Sequence, residues 1–113
     1  MNWIELNTFE QVEEIKKQSE NNPILIFKHS TRCSTSRLTL DRLERNWNNQ
    51  EMQAIRPYFL DLISYRQVSN LIADNFNVEH ESPQVLIISK GQSVLDLSHF
   101  EIDYDNIKRS IKN

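Results

Sequence analysis

The run Pro23-Ile24-Leu25-Ile26-Phe27 carries no polar residue after its proline. It is rich in β-branched and aromatic side chains and shows no alternation. Such a run reads as a strand buried on both faces, and a strand of that kind needs a covering layer on each side of its sheet. Gln84-Val85-Leu86-Ile87-Ile88 makes the same demand a second time.

The covering layers are legible around these runs. Thr8 followed by Gln11 fits a capping box and opens a helix carrying Phe9, Val12 and Ile15 to about Ser19, where Asn21-Asn22-Pro23 breaks it. Ser36, Leu40, Leu43 and Trp47 fall on one face of a second helix closed by Asn46, Asn48 and Asn49, and Trp47 is assigned to core packing. Asp41 and Arg45 form an i,i+4 pair on its exposed side. Val68, Leu71, Ile72 and Phe76 predict a third helix led by Ser64 or Tyr65. A last stripe holds Tyr104, Ile107 and Ile111, with Asp103 or Asp105 at its start and Lys108, Arg109 and Lys112 toward its end, which suits the helix dipole.

Strand content fills the gaps. Met52 to Leu62 is strand-like, and Pro57 within it favours an edge position or a bulge. Ser89-Lys90-Gly91-Gln92 reads as a tight turn whose glycine takes a positive φ, with Ser93 to Ser98 as the antiparallel partner strand. Trp3, Ile4 and Leu6 form an edge strand or packing arm. The order (β)αβαβαββα predicts an α/β fold with a mixed central sheet and helices on both faces, in a single domain over residues 1–113. The opening helix–strand–helix portion suits other small α/β folds equally well.

Bulk properties narrow the function. A net charge of -3, from 13 basic and 16 acidic side chains, gives no electrostatic footprint for nucleic acid or an anionic membrane. No apolar run approaches the length of a membrane span, and Met1 to Asn7 lacks the pattern of a signal peptide. One cysteine excludes an internal disulfide and a site of several thiolates within one subunit. A cytoplasmic monomer is expected, with no permanently bound cofactor, nucleic acid or membrane.

That cysteine, Cys33, lies where the first buried strand hands over to a helix. Free N–H groups of a first helical turn stabilise a thiolate there, and Lys28, His29 and Arg32 are nearby cations. The competing reading is a small core residue, since free cysteines are commonly buried. His29 either exchanges protons with Cys33 or positions its loop; Thr31, Ser34 and Thr35 donate hydrogen bonds or cap the helix. Cys33 with histidines has no ligand-spacing motif behind it, so no metal is expected.

With Phe27-Lys28-His29-Ser30-Thr31, Cys33, Ser36, His80-Glu81-Ser82-Pro83-Gln84 and Ser98-His99 in place, the chain resembles the YtxJ-like monothiol bacilliredoxins of the thioredoxin superfamily. The resemblance implies a thioredoxin-like fold and Cys33 as redox nucleophile, with Ser36 in place of a resolving cysteine. Thr31, Arg32, Ser34, Lys28 and His29 would support the site. It also implies a cis bond before Pro83, on a loop of His80, Glu81, Ser82 and Pro83 that faces the partner thiol. Ser34 departs from relatives that often carry proline there. Ser36 is expected either to donate to the thiolate or to cap the helix, and His80 either to touch substrate or to make a structural hydrogen bond. The implied reaction removes bacillithiol from protein mixed disulfides through Cys33, with bacillithiolated cytoplasmic proteins as clients. Free bacillithiol, the low-molecular-weight cosubstrate, or another external thiol then resets the cysteine. The alternatives are a glutathione-linked enzyme, an iron–sulfur-carrying monothiol glutaredoxin, whose Gly-Phe between Cys and Ser is missing here, and a nonenzymatic thioredoxin-like binding protein.

Overall fold

The computed structural model describes residues 1–111; Lys112, expected in the last helix, lies outside them. The elements follow the expected order: β1 (Ile4–Glu5), α1 (Phe9–Gln18), β2 (Ile24–His29), α2 (Ser34–Asn46), β3 (Arg56–Asp61), α3 (Arg66–Phe76), β4 (Gln84–Ser89), β5 (Gln92–Ser98) and α4 (Tyr104–Ile111). A short 3-10 turn, His99–Glu101, has no counterpart in the sequence pattern and separates β5 from α4. Five strands form one mixed sheet in the order β1-β3-β2-β4-β5. β1, β3 and β2 run parallel, while β4 and β5 are antiparallel to their neighbours.

The apolar run of β2 sits at the sheet centre and splits by parity between two cores. Ile24 and Ile26 pack with Val12 and Ile15 of α1 and Val68, Ile72 and Phe76 of α3. Leu25 and Phe27 face the other way, into Leu43 of α2 and Tyr104 and Ile107 of α4. All four of these β2 side chains are fully buried, each worth about 1.5–3 kcal/mol of hydrophobic transfer. Trp47 joins the second core, its ring edge-on to Tyr104 at 5.8 Å.

The expected capping box of α1 forms where the spacing places it. The Thr8 side chain accepts the Gln11 N–H, and the Gln11 side chain returns to the Thr8 N–H. Two boundaries differ. β2 runs two residues past the apolar stretch, taking Lys28 and His29 into the sheet. β3 begins only at Arg56; Met52 and Ile55 are buried from a turn that closes the lower core. Arg56 donates its N–H to Pro23 O on the β2 side, so the nitrogen of Pro57 faces the β1 side, beyond the first β1 residue, Ile4, which is aligned with Tyr58. The missing donor therefore falls at a locally open edge, as expected. In the β4–β5 hairpin both Lys90 (φ 53°) and Gly91 (φ 75°) are left-handed, the pair that a twisted two-residue turn requires. Their N–H groups donate to Ser19 O at 2.8 Å and Ser19 Oγ at 2.9 Å, which ties the hairpin to the end of α1.

Candidate active site

β2 delivers Cys33 to the edge of the sheet at which the parallel strands end. His29 and Asp61 are in register across β2 and β3, and the Leu62 N–H donates to His29 O at 3.0 Å. The chain then turns through Ser30 to Cys33, which is the N-cap of α2. The Cys33 N–H donates to Ser30 O at 3.2 Å, and its carbonyl accepts the Arg37 N–H at 3.3 Å. Cys33 is partly exposed. Among the described residues no side chain caps the helix at this point, and no acidic residue sits in its first turn. The first turn of α2 thus leaves N–H groups without side-chain partners, and the positive end of the helix dipole, at the residue that carries the sulfur. Thr31, Arg32 and Ser34 form the exposed rim around it.

In this structure Ser36 hydrogen-bonds neither the helix's own N–H groups nor Cys33 among the described residues. It is fully buried, and its Oγ accepts the Ser30 N–H at 3.1 Å while lying 2.7 Å from His29 Nδ1. The hydroxyl is thus aimed back at the strand end, away from the helix's own N–H groups. Ser30, part of the motif behind the resemblance but given no role by it, is the hub: its carbonyl oxygen accepts the Cys33 N–H and its Oγ accepts the Arg32 N–H at 3.3 Å. His29 packs against Phe59 and Phe27, with ring centroids 5.4 and 6.3 Å away. Burial lowers its pKa, and Arg37 adds to that, against an upward pull from Asp61, Asp41 and Glu44.

Lys28, one residue earlier, points to the opposite face. It is fully buried, and its ammonium donates to Ser69 O of α3 at 3.2 Å. Burial, and then Arg66, bring its pKa down to about 8. The backbone parity of β2 therefore separates Lys28 from His29 and Ser36, and the cationic help expected of it is not directed at their side of the sheet.

The second wall is the segment before β4. Ser82–Pro83 is a cis peptide, as the resemblance implied. Lys28 pairs with Gln84 across the β2–β4 ladder, so continuing that register sets Pro83 opposite His29. Gln84 holds the segment from within, accepting the Glu81 N–H at 3.4 Å and donating to Glu79 O at 2.9 Å. His80 lies 3.4 Å from Ser69 Oγ through Nδ1, the structural hydrogen bond of its two expected roles, and its pKa is lowered by burial, then Lys28 and Arg66, against Glu81. The Ser82 hydroxyl is buried with no hydrogen-bond partner among the described residues. The His99 N–H donates to Pro83 O at 3.0 Å, with His99 itself left-handed at φ 54°. Among the described residues no cluster of three or more His, Cys, Asp or Glu side chains is placed to hold a metal.

A single partly exposed sulfur at a helix start, walled by a cis-proline segment, is matched at the level of sequence families. Residues 4–107 match the family model described as monothiol bacilliredoxin BrxC. The chain belongs to this family. This bacilliredoxin is a thiol-disulfide oxidoreductase with one cysteine, and bacillithiol is the cosubstrate that its family implies. Its sheet and helices superpose on a solved thioredoxin-fold protein assigned as an oxidoreductase, with 28% identity and a TM-score of 0.78 over 95% of this chain and 91% of that one. Two more distant likenesses show the fold alone. Malassezia sympodialis thioredoxin has 12% identity and a TM-score of 0.75, covering 97% of this chain and 88% of its own. Fasciola hepatica thioredoxin has 15% identity and a TM-score of 0.71, covering 95% and 94%. No helix among the described residues is long and apolar enough to cross a membrane.

Buried His29 and half-buried His80 are expected to make the bacilliredoxin's fold acid-sensitive. Both have folded pKa values below their ordinary one of 6.5. Between the two values the unfolded chain binds more protons, so stability rises with pH in that window and falls on acidification through it. Urea unfolding is expected to show a midpoint that drops below about pH 6.5. In a His29→Asn, His80→Asn double variant that drop should shrink; an unchanged acid limb would assign it to carboxylates instead.

Proposed function

We propose that the protein removes bacillithiol from cytoplasmic protein mixed disulfides by a one-thiol cycle at Cys33. The observation that carries this reading is a lone sulfur at the N-cap of α2 with a buried serine, Ser36, at the place where a second thiol would resolve it. The Cys33 thiolate attacks the bacillithiol sulfur of the client's mixed disulfide. That S–S bond breaks, the client sulfur leaves as a thiolate and takes a proton from water, and a Cys33–bacillithiol disulfide forms. A serine hydroxyl does not form a disulfide, so the cycle closes outside the chain. An external thiolate, free bacillithiol by this reading, attacks the bacillithiol sulfur and releases Cys33. The Ser82–Pro83 segment borders the approach, and Thr31, Arg32, Ser34 and Glu81 flank it.

The test is to mix the protein with a bacillithiolated client, quench by alkylation and identify the modified peptides by mass spectrometry. A bacillithiol adduct on Cys33 and a freed client thiol are expected. A client that stays modified, with Cys33 alkylated as a free thiol, would remove the proposed cycle. Matched clients carrying glutathione in place of bacillithiol are expected to react more slowly, and equal rates would remove the selectivity.

A Ser36→Cys variant sharpens the same point. It sets a second sulfur three residues from Cys33 in the first turn, within the reach of a disulfide. The mixed disulfide should then be short-lived, and intact mass should show an internal disulfide between positions 33 and 36 in place of the bacillithiol adduct. Persistence of the adduct would show that the buried position 36 does not turn toward residue 33.

A further inference from the structure

The buried Ser36 hydroxyl has one proton and two lone pairs. The Ser30 N–H occupies one lone pair, and a backbone donor never reverses. The contact with His29 Nδ1 can run either way. When Nδ1 is bare, the hydroxyl donates to it and both groups are satisfied. When Nδ1 is protonated, the ring donates, the hydroxyl accepts twice, and its own proton is released. A buried O–H prefers the bare ring nitrogen 2.7 Å away to a weakly accepting sulfur, so the neutral ring keeps its proton on Nε2. Next in line for the released proton is Cys33: it is the N-cap of α2 and Ser36 its third residue, an i,i+3 spacing.

We propose that His29 is a positioning residue that acts through Ser36: neutral, it holds the hydroxyl proton and fixes the loop carrying Cys33; protonated, it turns that proton toward the Cys33 thiolate. The loop is fixed because Ser36 anchors the Ser30 N–H, and Ser30 in turn holds the N–H groups of Arg32 and Cys33. The charged and titratable groups facing the ring are Asp61 on β3 and Arg37, Asp41 and Glu44 on α2. Asp61 is engaged elsewhere, accepting from the N–H groups of Ile63 and Ser64 and from the Ser64 hydroxyl. Glu44 accepts the Trp3 indole N–H at 2.8 Å. Phe27 and Phe59 supply the remaining walls. Protonation of the ring thus adds a positive charge and frees the Ser36 hydroxyl proton.

The inference rests on Cys33 being the reacting thiol, and alkylation reads that thiol whether or not bacillithiol is its partner. The rate of Cys33 alkylation by iodoacetamide is to be followed from about pH 5 to about pH 9, the range that spans histidine titration. Wild type should show an acid shoulder, with rates on the order of tenfold above a single-thiol curve extended from the alkaline side. His29→Asn retains an acceptor for the Ser36 hydroxyl but does not titrate, so the shoulder should vanish. Ser36→Ala retains the titrating ring and should keep only the part of the shoulder due to charge. A His29→Asn profile that superimposes on wild type overturns the proposal. A second measurement needs no variant: NMR of the imidazole nitrogens at neutral pH should find Nε2 protonated and Nδ1 bare. A proton on Nδ1 in that state overturns the proposal independently.

Discussion

Cys33→Ser is expected to bring bacillithiol removal down to the uncatalysed background while leaving the fold intact. The chain has no second cysteine to take over, and an oxygen cannot form the covalent intermediate. The fold does not depend on the sulfur: Cys33 is partly exposed, and among the described residues its hydrogen bonds run through the backbone to Ser30 and Arg37. Serine is the better N-cap residue, so stability should be unchanged or up to about 1 kcal/mol higher. The readouts are release of bacillithiol from a modified client and the thermal midpoint of the variant. Turnover above background in a well-folded Cys33→Ser protein would take Cys33 out of the mechanism.

The architecture is legible because it rests on long-range demands written in local pattern. A run buried on both faces has to be central, and β2 is central, flanked by β3 and β4. Thr8 and Gln11 satisfy each other's backbone groups, so that helix start needs no tertiary information. The sequence makes β3 too long because Met52 and Ile55 are buried without being paired, and hydrophobicity alone does not separate a buried connector from a strand. The site is legible only in outline. Cys33 is conspicuous as the sole thiol at a strand–helix junction. The partners of Ser36 are six and seven residues back across a turn, a spacing with no helical or strand period behind it. Lys28 reads as part of the loop, because a lysine after an apolar run usually marks the strand's exit to solvent; here the strand continues and takes it inside.

Lys28→Met is expected to stabilise the protein at neutral pH and to flatten its stability profile on the alkaline side. The ammonium is fully buried, and its one hydrogen bond among the described residues is to a neutral carbonyl, Ser69 O. Burial and Arg66 bring its pKa from 10.5 to about 8 in the folded state. Between those values the unfolded chain holds a proton that the folded chain has lost, so stability rises with pH across the window. Below about pH 8 the side chain is charged in both states and its desolvation weighs on the fold in full. At roughly 1.4 kcal/mol per pKa unit the burden is about 3 kcal/mol. Methionine fills a comparable volume without charge and gives up the Ser69 contact, worth about 1–2 kcal/mol as a charged hydrogen bond. The expected net gain is therefore about 1–2 kcal/mol at pH 7, a rise in Tm of several degrees for a domain of this size. Wild type should gain stability between about pH 8 and pH 10 relative to the variant, closing the gap. A variant less stable than wild type at pH 7, with the same alkaline slope, would mean that the ammonium is compensated within the fold. Turnover should stay near wild type, because β2 turns Lys28 toward α3 and turns His29 and Ser36, with the loop of Cys33, toward the other face.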